Sequence, residues 1–548
     1  MRTNISWRHI VFALLIAAGI GWICLLSAVP PVDRDALTHH LFITKLYLLH
    51  SGIYEISHIP FSYYPMNLDL LYLIPLYFNK DITPKYIHFA FALVTGILIF
   101  RYLVRRTDTA HALLGALFFL TLPLVVRLSS TVYVDLGLIC FLFAALLYLF
   151  KWIESGFSLR PLIISGIWCG LALGTKYNGL LGLFLLGTFV TFVYARFHTE
   201  KKYGSLKAAG WGMLFIFVSL AVFSPWMIRN MAWTGNPVYP LYNNIFNPPT
   251  ASTVTKEKPP APRISHFQLR HQVYQESWTW IALLPIRVFF QGKDDSHQYF
   301  DGRTSPFLLI LPLFAFVGFR QRPRQEKAEM LLMLFFSVLL LLFACLLAPV
   351  RVRYFSPILP PLVVLSMFGL YNIQKPGGLG ARLFDPARKW AVFAVVAIML
   401  GMNAAYMVER FKKNRPLDYL SGKLTRDEYI QIFRPEYAAF QYANENLKPD
   451  AKIFGLYMGG RGYYSDRYIA FPDALLHRAA REAASGKDVA ATMTGSGFTH
   501  ILMNYAGLNF WLNEAASDHD RQVLRQFFES HVDVLFSREG YGLLKIKS

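Results

Sequence analysis

Runs of about 17 to 25 apolar residues recur through the first four hundred or so positions, the length an α-helix needs to cross a bilayer core. Backbone amides in lipid must be satisfied within their own segment, so such runs are expected as helices and not as an open sheet. A chain of 548 residues that is 54% hydrophobic and 16% aromatic fits the same reading. The expected fold class is a polytopic α-helical membrane protein. Cys24, Cys140, Cys169 and Cys345 all fall inside apolar runs, so they read as small buried hydrophobes and not as a disulfide framework. The first run, Ile10 to Val29, lacks a small-residue cleavage site and is expected to remain as a membrane span.

A formal net charge of +20 raises nucleic acid as a partner, but the placement of the charge argues against it. Beyond residue 407, 19 Lys and Arg nearly balance 17 Asp and Glu, which leaves 35 against 17 in the apolar part. Nineteen of those 35 sit in six short stretches: Arg2 to Arg8, Arg101 to Arg106, Lys151 to Arg160, Arg196 to Lys207, Arg320 to Lys327 and Lys375 to Lys389. Short basic loops mark the cytoplasmic side of a membrane. Anchored on them, eleven spans are predicted, near 8–29, 84–104, 111–128, 132–150, 161–176, 178–196, 208–226, 305–320, 327–347, 355–372 and 389–407. The N-terminus is then cytoplasmic and the C-terminus outside. Leu68 to Phe78 would rise only ~16 Å as a helix, too short to span, and is expected to lie on the outer surface.

This topology gives a transmembrane domain over 1–407, with a first outer loop at 30–83 that carries interfacial helices and a second at 227–304. Residues 247 to 262, rich in Pro, Thr and Lys, read as a mobile loop. Residues 408–548 read as a small α/β soluble domain: helices over 436–447 and 475–485, strands over 451–458 and 499–505, and a strand pair over 533–546 around Glu539-Gly540. Its GGRG at 459 to 462 lacks the spacing of a dinucleotide fingerprint.

Ionisable residues stand out where lipid should exclude them. In PVDRDALTHHLFITKLYLLHSG (31–52), Leu37, Leu41 and Leu48, widened by Phe42 and Leu49, mark an amphipathic helix over 36–50 lying on the bilayer, with Ile43 and Leu46 off the stripe. Asp35 can cap that helix or act as a general base; Asp33 is the alternative for either role. His39 and His40 sit one turn on and can face the same pocket or serve as interfacial polar contacts. Asp135 opens a long apolar run, a functional signal by default, with Arg127 as the nearest cation in the sequence. Lys176, Arg229, Arg351 and Arg353 lie on the non-cytoplasmic side, where topology gives no reason for cations. Singly each reads as a snorkelling side chain; together they suit a lipid phosphate. No zinc spacing, P-loop or nucleophile elbow is present. A divalent cation between Asp35, His40 and Asp135 is compatible with these residue types but has no supporting motif.

PVDRDALTHHL, YYPMNLDLLYL (63–73), VYVDLGL (132–138), GLALGTKYNGL, PWMIRNMAWTGNPVYPLYN and RVRYFSPILPPL together resemble the polytopic glycosyltransferases of the C superfamily. Within that group the chain is similar to bacterial relatives of protein O-mannosyltransferases and of the lipid A aminoarabinose transferase. The resemblance covers residues 1 to 407 and implies an inverting transfer of a sugar from a polyprenyl-phosphate donor to a glycan, lipid or protein acceptor. It places the protein in the bacterial inner (plasma) membrane, with the C-terminal domain periplasmic. By the same resemblance Asp35 is the general base, with Asp33 as alternative, Asp135 is the supporting acid, and Lys176, Arg229 and Arg353 bind the carrier phosphate. His40, Lys45, Tyr64, Asn67, Tyr177, Asn230 and Tyr354, from the same motifs, are expected at the substrate. The family loop carries Asp-Glu where this chain reads Asp-Arg-Asp. Two rival readings use the same charges: a transporter or flippase of lipid-linked sugars, and an O-antigen polymerase or ligase.

Overall fold

The computed structural model describes residues 6–197, 204–248, 265–347, 349–374 and 388–547. The segment expected as a mobile loop lies, from 249 onward, outside them. Contacts divide the chain into two compact units whose bounds cut across the division expected at 407. The first comprises 1–27, 64–68 and 85–415; the second comprises 28–63, 69–84 and 416–548.

The helices that matter below are α1 (Trp7–Ser27), α2 (Phe42–Leu49), α3 (Asn67–Tyr77), α4 (Thr83–Leu103), α5 (Thr109–Thr121), α6 (Pro123–Ser129) and α7 (Asp135–Glu154). They continue with α8 (Leu159–Leu173), α9 (Gly179–Phe197), α10 (Gly204–Thr234), α11 (Phe307–Ala315), α12 (Arg324–Leu347), α13 (Leu359–Gln374) and α14 (Arg388–Asn414). Eight helices among the described residues are long and apolar enough to cross a membrane, or nine if the bent pair α5 and α6 is one span. All eleven predicted spans fall on helices, but two fall short. α8 has 15 residues, and the run expected to span 305–320 yields only the nine residues of α11, which carries Pro312 and is followed by Gly318 at φ 72°. The 61° bend between α5 and α6 falls at Pro123, whose ring has no N–H to continue α5 but suits the first position of α6.

In the first unit, α7 and α13 form the core: α13 buries every residue from Leu359 to Leu370, and α7 buries most of its length. α1 and α10 instead leave Leu14, Phe217 and Ile228 exposed, as apolar residues facing lipid would be. Close approach relies on small residues: a Cβ at Gly170 would meet the Ser219 carbonyl and Val222 of α10. Glu329, an acid inside α12, is satisfied by Arg106 at 2.8 Å and the Tyr102 hydroxyl at 2.6 Å.

The C-terminal part of the second unit is a five-stranded sheet in the order β2-β1-β3-β5-β4, with β1 (Lys452–Leu456), β2 (Tyr468–Ala470), β3 (His500–Asn504), β4 (Val532–Arg538) and β5 (Tyr541–Ile546). β1 pairs in parallel with β2 and β3, whereas β5 runs antiparallel to β3 and β4. Phe454, Ile501 and Met503 from the strands pack with Leu476, Met493, Leu524 and Phe527 from helices at 473–482, 486–495 and 518–530. The six elements expected in this region are present. The three-residue β2 and the helices at 486–495, 505–514 and 518–530 are additions.

His500 of β3 stands across from Lys545 of β5, and burial together with that ammonium lowers its pKa. The fold therefore favours the neutral ring: its stabilising contribution is complete above the ordinary value of about 6.5 and is lost as pH falls. Protection of the β3 and β5 amides against exchange, corrected for the intrinsic pH dependence of the rate, should fall between pH 7 and 5, and His500→Gln should flatten that dependence.

Candidate active site

Asp135 begins α7, and its carboxylate is almost fully buried. Oδ1 accepts a 2.6 Å hydrogen bond from the Lys176 ammonium, which rises from the turn between α8 and α9. Arg353 also acts electrostatically on Asp135. The Lys176 ammonium lies 5.9 Å from the centre of the Tyr354 ring, and the Arg353 guanidinium rests against Tyr133 and Tyr354. An ammonium has three donors and Asp135 takes one of them. Arg127, the cation nearest to Asp135 in the sequence, is not its partner. It turns instead to Asp294, Asp295 and Asp301, 167 to 174 residues away, while Arg351 turns to Asp301 and His297.

Arg229, near the end of α10, is held between Trp226 and Trp233, three residues before and four after it, with centroids at 4.5 and 4.9 Å. It donates to the Asn230 side chain and to the Tyr64 carbonyl. Asn230 in turn donates to the Tyr177 hydroxyl at 3.1 Å, and Tyr177 donates to the Tyr239 carbonyl at 2.9 Å. Burial raises the Tyr177 pKa, so its phenol stays protonated and remains a donor. Tyr64 stacks edge-on against Tyr177. Asn67 completes the set: its backbone N–H donates to Gly174, and its side chain accepts from the Trp226 indole at 2.7 Å. A side chain at Gly174 would strike the Asn67 amide. Nine residues picked from the sequence (Tyr64, Asn67, Asp135, Lys176, Tyr177, Arg229, Asn230, Arg353 and Tyr354) thus form one linked polar cluster in the first unit.

The remaining candidates lie in the second unit. Asp33 and Asp35 are half-buried, and Asp35 makes no side-chain cap: it precedes a wide turn, Ala36–His40, in which the Leu41 N–H reaches back five residues to the Ala36 carbonyl. That turn inserts one residue into the helical register and corrects the expected stripe. Ile43, predicted off it, is fully buried with Leu37, Leu41 and Phe42, whereas Leu49 is exposed. Leu37, Leu41, Phe42 and Ile43 thus pack within the unit, and the Phe42 ring lies against Gly462. His40 is buried, 2.6 Å from Asp69 of α3, and packs on His39, which stacks on Phe61. Lys45, expected at the substrate, uses all three ammonium donors on the Tyr463 and Ser465 carbonyls and on Asp466 at 2.8 Å.

Residues 73–228 match the family described as dolichyl-phosphate-mannose-protein mannosyltransferase. No curated protein matches the chain significantly in sequence. Among solved structures, apo ArnT from Cupriavidus metallidurans is 14% identical and superposes with a TM-score of 0.57 over 97% of each chain. The chain has the glycosyltransferase C fold. ArnT bound to undecaprenyl phosphate is likewise 14% identical, with a TM-score of 0.55 over 97% of each chain. The Archaeoglobus fulgidus oligosaccharyltransferase tethered to an acceptor peptide is 10% identical, with a TM-score of 0.55 over 99% of this chain and 74% of its own.

Within this glycosyltransferase C fold, two residues escaped sequence reading, one in each unit. His88 of α4, buried in an apolar run, accepts the Leu136 N–H at 2.9 Å through Nε2 and donates from Nδ1 to the Leu128 and Thr131 carbonyls. It thereby holds the turn that starts α7 and positions Asp135. The other is Asp69, the partner of His40, whose signal was an acid in the apolar YYPMNLDLLYL. Asp69→Ala, which leaves a buried imidazole without its acceptor, should cost about 1–3 kcal/mol. In a thermal-melt cycle His40→Ala with Asp69→Ala should cost little more than either alone. No cluster of three or more His, Cys, Asp or Glu poised to hold a metal occurs among the described residues.

Proposed function

We propose that the protein transfers a sugar from a polyprenyl-phosphate-linked donor to an acceptor hydroxyl on the outer face of the membrane. The observation that carries this reading is the buried Asp135 carboxylate with two cations acting on it, Lys176 and Arg353, and a third cation, Arg229, joined through Asn230 to Tyr177, the residue that follows Lys176. Such a site favours an anion, and Arg and Lys are the side chains suited to phosphate. The known structures of like fold, one of them bound to undecaprenyl phosphate, support a lipid phosphate as that anion.

In the proposed reaction Asp35 accepts the proton of the acceptor hydroxyl, whose oxygen attacks the anomeric carbon. The bond from that carbon to the phosphate oxygen breaks, and polyprenyl phosphate leaves with the electron pair. Lys176 and Arg353 stabilise the charge that develops on the leaving oxygen, while Asp135 fixes Lys176. Arg229, clamped by two indoles, orients the phosphate. Asp33 takes no part in the chemistry.

Purified protein in sealed liposomes, given a radiolabelled polyprenyl-phospho-sugar and an envelope extract, should move label into the acceptor and release polyprenyl phosphate. Label that changes leaflet but stays on its lipid would establish a flippase instead. Label that moves only as a preassembled block would establish a polymerase or ligase.

A further inference from the structure

A cavity of about 680 Å³ opens entirely within the second unit, lined by Lys45, Asp81, Arg426, Tyr437, Tyr464 and Asp466 among others. Its size falls in the ~300–1,000 Å³ range of small-ligand sites. Its charges cancel in place: Arg426 pairs with Asp81 at 2.5 Å and Lys45 with Asp466 at 2.8 Å. A phosphate would have to break one of these pairs to bind, so the cavity is not a second anion site. Tyr437, Tyr464 and Tyr463 form a contiguous aromatic wall, with centroids 4.9 and 5.0 Å apart. Arg426, with donors beyond the one that Asp81 accepts, and the carboxylates of Asp81 and Asp466 can meet neutral hydroxyls, and aromatic faces pack on the apolar face of a sugar ring; together they are the chemistry of an uncharged saccharide.

One edge of the cavity is apolar. Leu48, Leu49, Leu76 and Tyr77 line it, and Leu49 and Tyr77 are about 70% exposed. Along α3, Leu71, Ile74 and the following Phe78 are also exposed at helical spacing, while Leu68 and Tyr72 are buried. A helix with an outward apolar stripe, followed at once by the spanning helix α4, suits the membrane interface.

We propose that this cavity holds the uncharged saccharide head of a membrane glycolipid, with its lipid tail along the Leu49 and Tyr77 edge, and that this glycolipid is the acceptor. The assignment as acceptor rests on the sugar-transfer reading; the binding site itself does not.

The test uses the full chain in nanodiscs doped with diglucosyl-diacylglycerol, with phosphatidylglycerol as control and no donor present. Native mass spectrometry should show the glycolipid retained, and retention should fall about tenfold in Tyr77→Ala and in Arg426→Gln, a loss of about 1.4 kcal/mol. Tyr77 is exposed, so its variant keeps the result interpretable if loss of the Arg426 pair disturbs folding. Phosphatidylglycerol retention should not change. Soluble isomaltose should bind at least about tenfold more weakly than the glycolipid, for want of a tail. The proposal is overturned if the wild type retains no more glycolipid than phosphatidylglycerol, if Tyr77→Ala retains it fully, or if isomaltose binds as tightly. Failed binding alongside intact transfer would remove this site alone; intact binding without transfer from any donor would remove the proposed function alone.

Discussion

Asp35→Asn should lower kcat for sugar transfer by about 10²–10⁴-fold, the range expected when a positioned general base is removed, while leaving the KM for the donor near its wild-type value. The amide keeps the size of the side chain but cannot take the acceptor proton. Asp33→Asn should retain nearly full activity, which separates the two acids of the Asp-Arg-Asp stretch. Transfer assays on both purified variants, with melting curves alongside, decide the matter. Equal losses in both would make the base assignment wrong.

The second large effect concerns Lys176. Lys176→Met leaves the buried Asp135 carboxylate without its 2.6 Å partner, and breaking a buried pair from one side costs about 3–5 kcal/mol. The variant should melt earlier and bind undecaprenyl phosphate poorly. Lys176→Met with Asp135→Asn removes both charges and should recover most of the stability, because two neutral side chains in that space carry no uncompensated charge. Carrier binding and transfer should stay lost in the double variant. If transfer returns with stability, Lys176 only holds the fold, and the phosphate role passes to Arg353 and Arg229.

The cluster was legible for a physical reason. An acid or cation in an apolar run has few ways to persist, and Asp135, Lys176 and Arg353 stood out on that ground before any contact was known. Their partners were not legible. Arg127 is eight residues from Asp135 in the sequence, yet it pairs with acids beyond residue 290, because long-range pairing depends on helix packing. The stripe over 36–50 assumed an unbroken 3.6-residue period, and one wide turn at Ala36–His40 moved Ile43 to the buried side. Length alone made 305–320 look like a span; Pro312 and Gly318 were the signal that it stops early. β2 has three residues and takes its identity from pairing with β1, which periodicity does not report. The clamp on Arg229 could have been read, since Trp226 and Trp233 stand at helical spacings of three and four.

A single displacement by a hydroxyl activated by Asp35 makes one prediction that a flippase does not share, and the anomeric configuration of the product tests it most directly. With a donor of defined anomer, nuclear magnetic resonance of the glycosylated acceptor should show inversion. An ¹⁸O label in the bridging phosphate oxygen should end in the released polyprenyl phosphate, because the carbon–oxygen bond breaks. Retained configuration, or a sugar phosphate transferred with the label and the carrier left as an alcohol, would contradict the account.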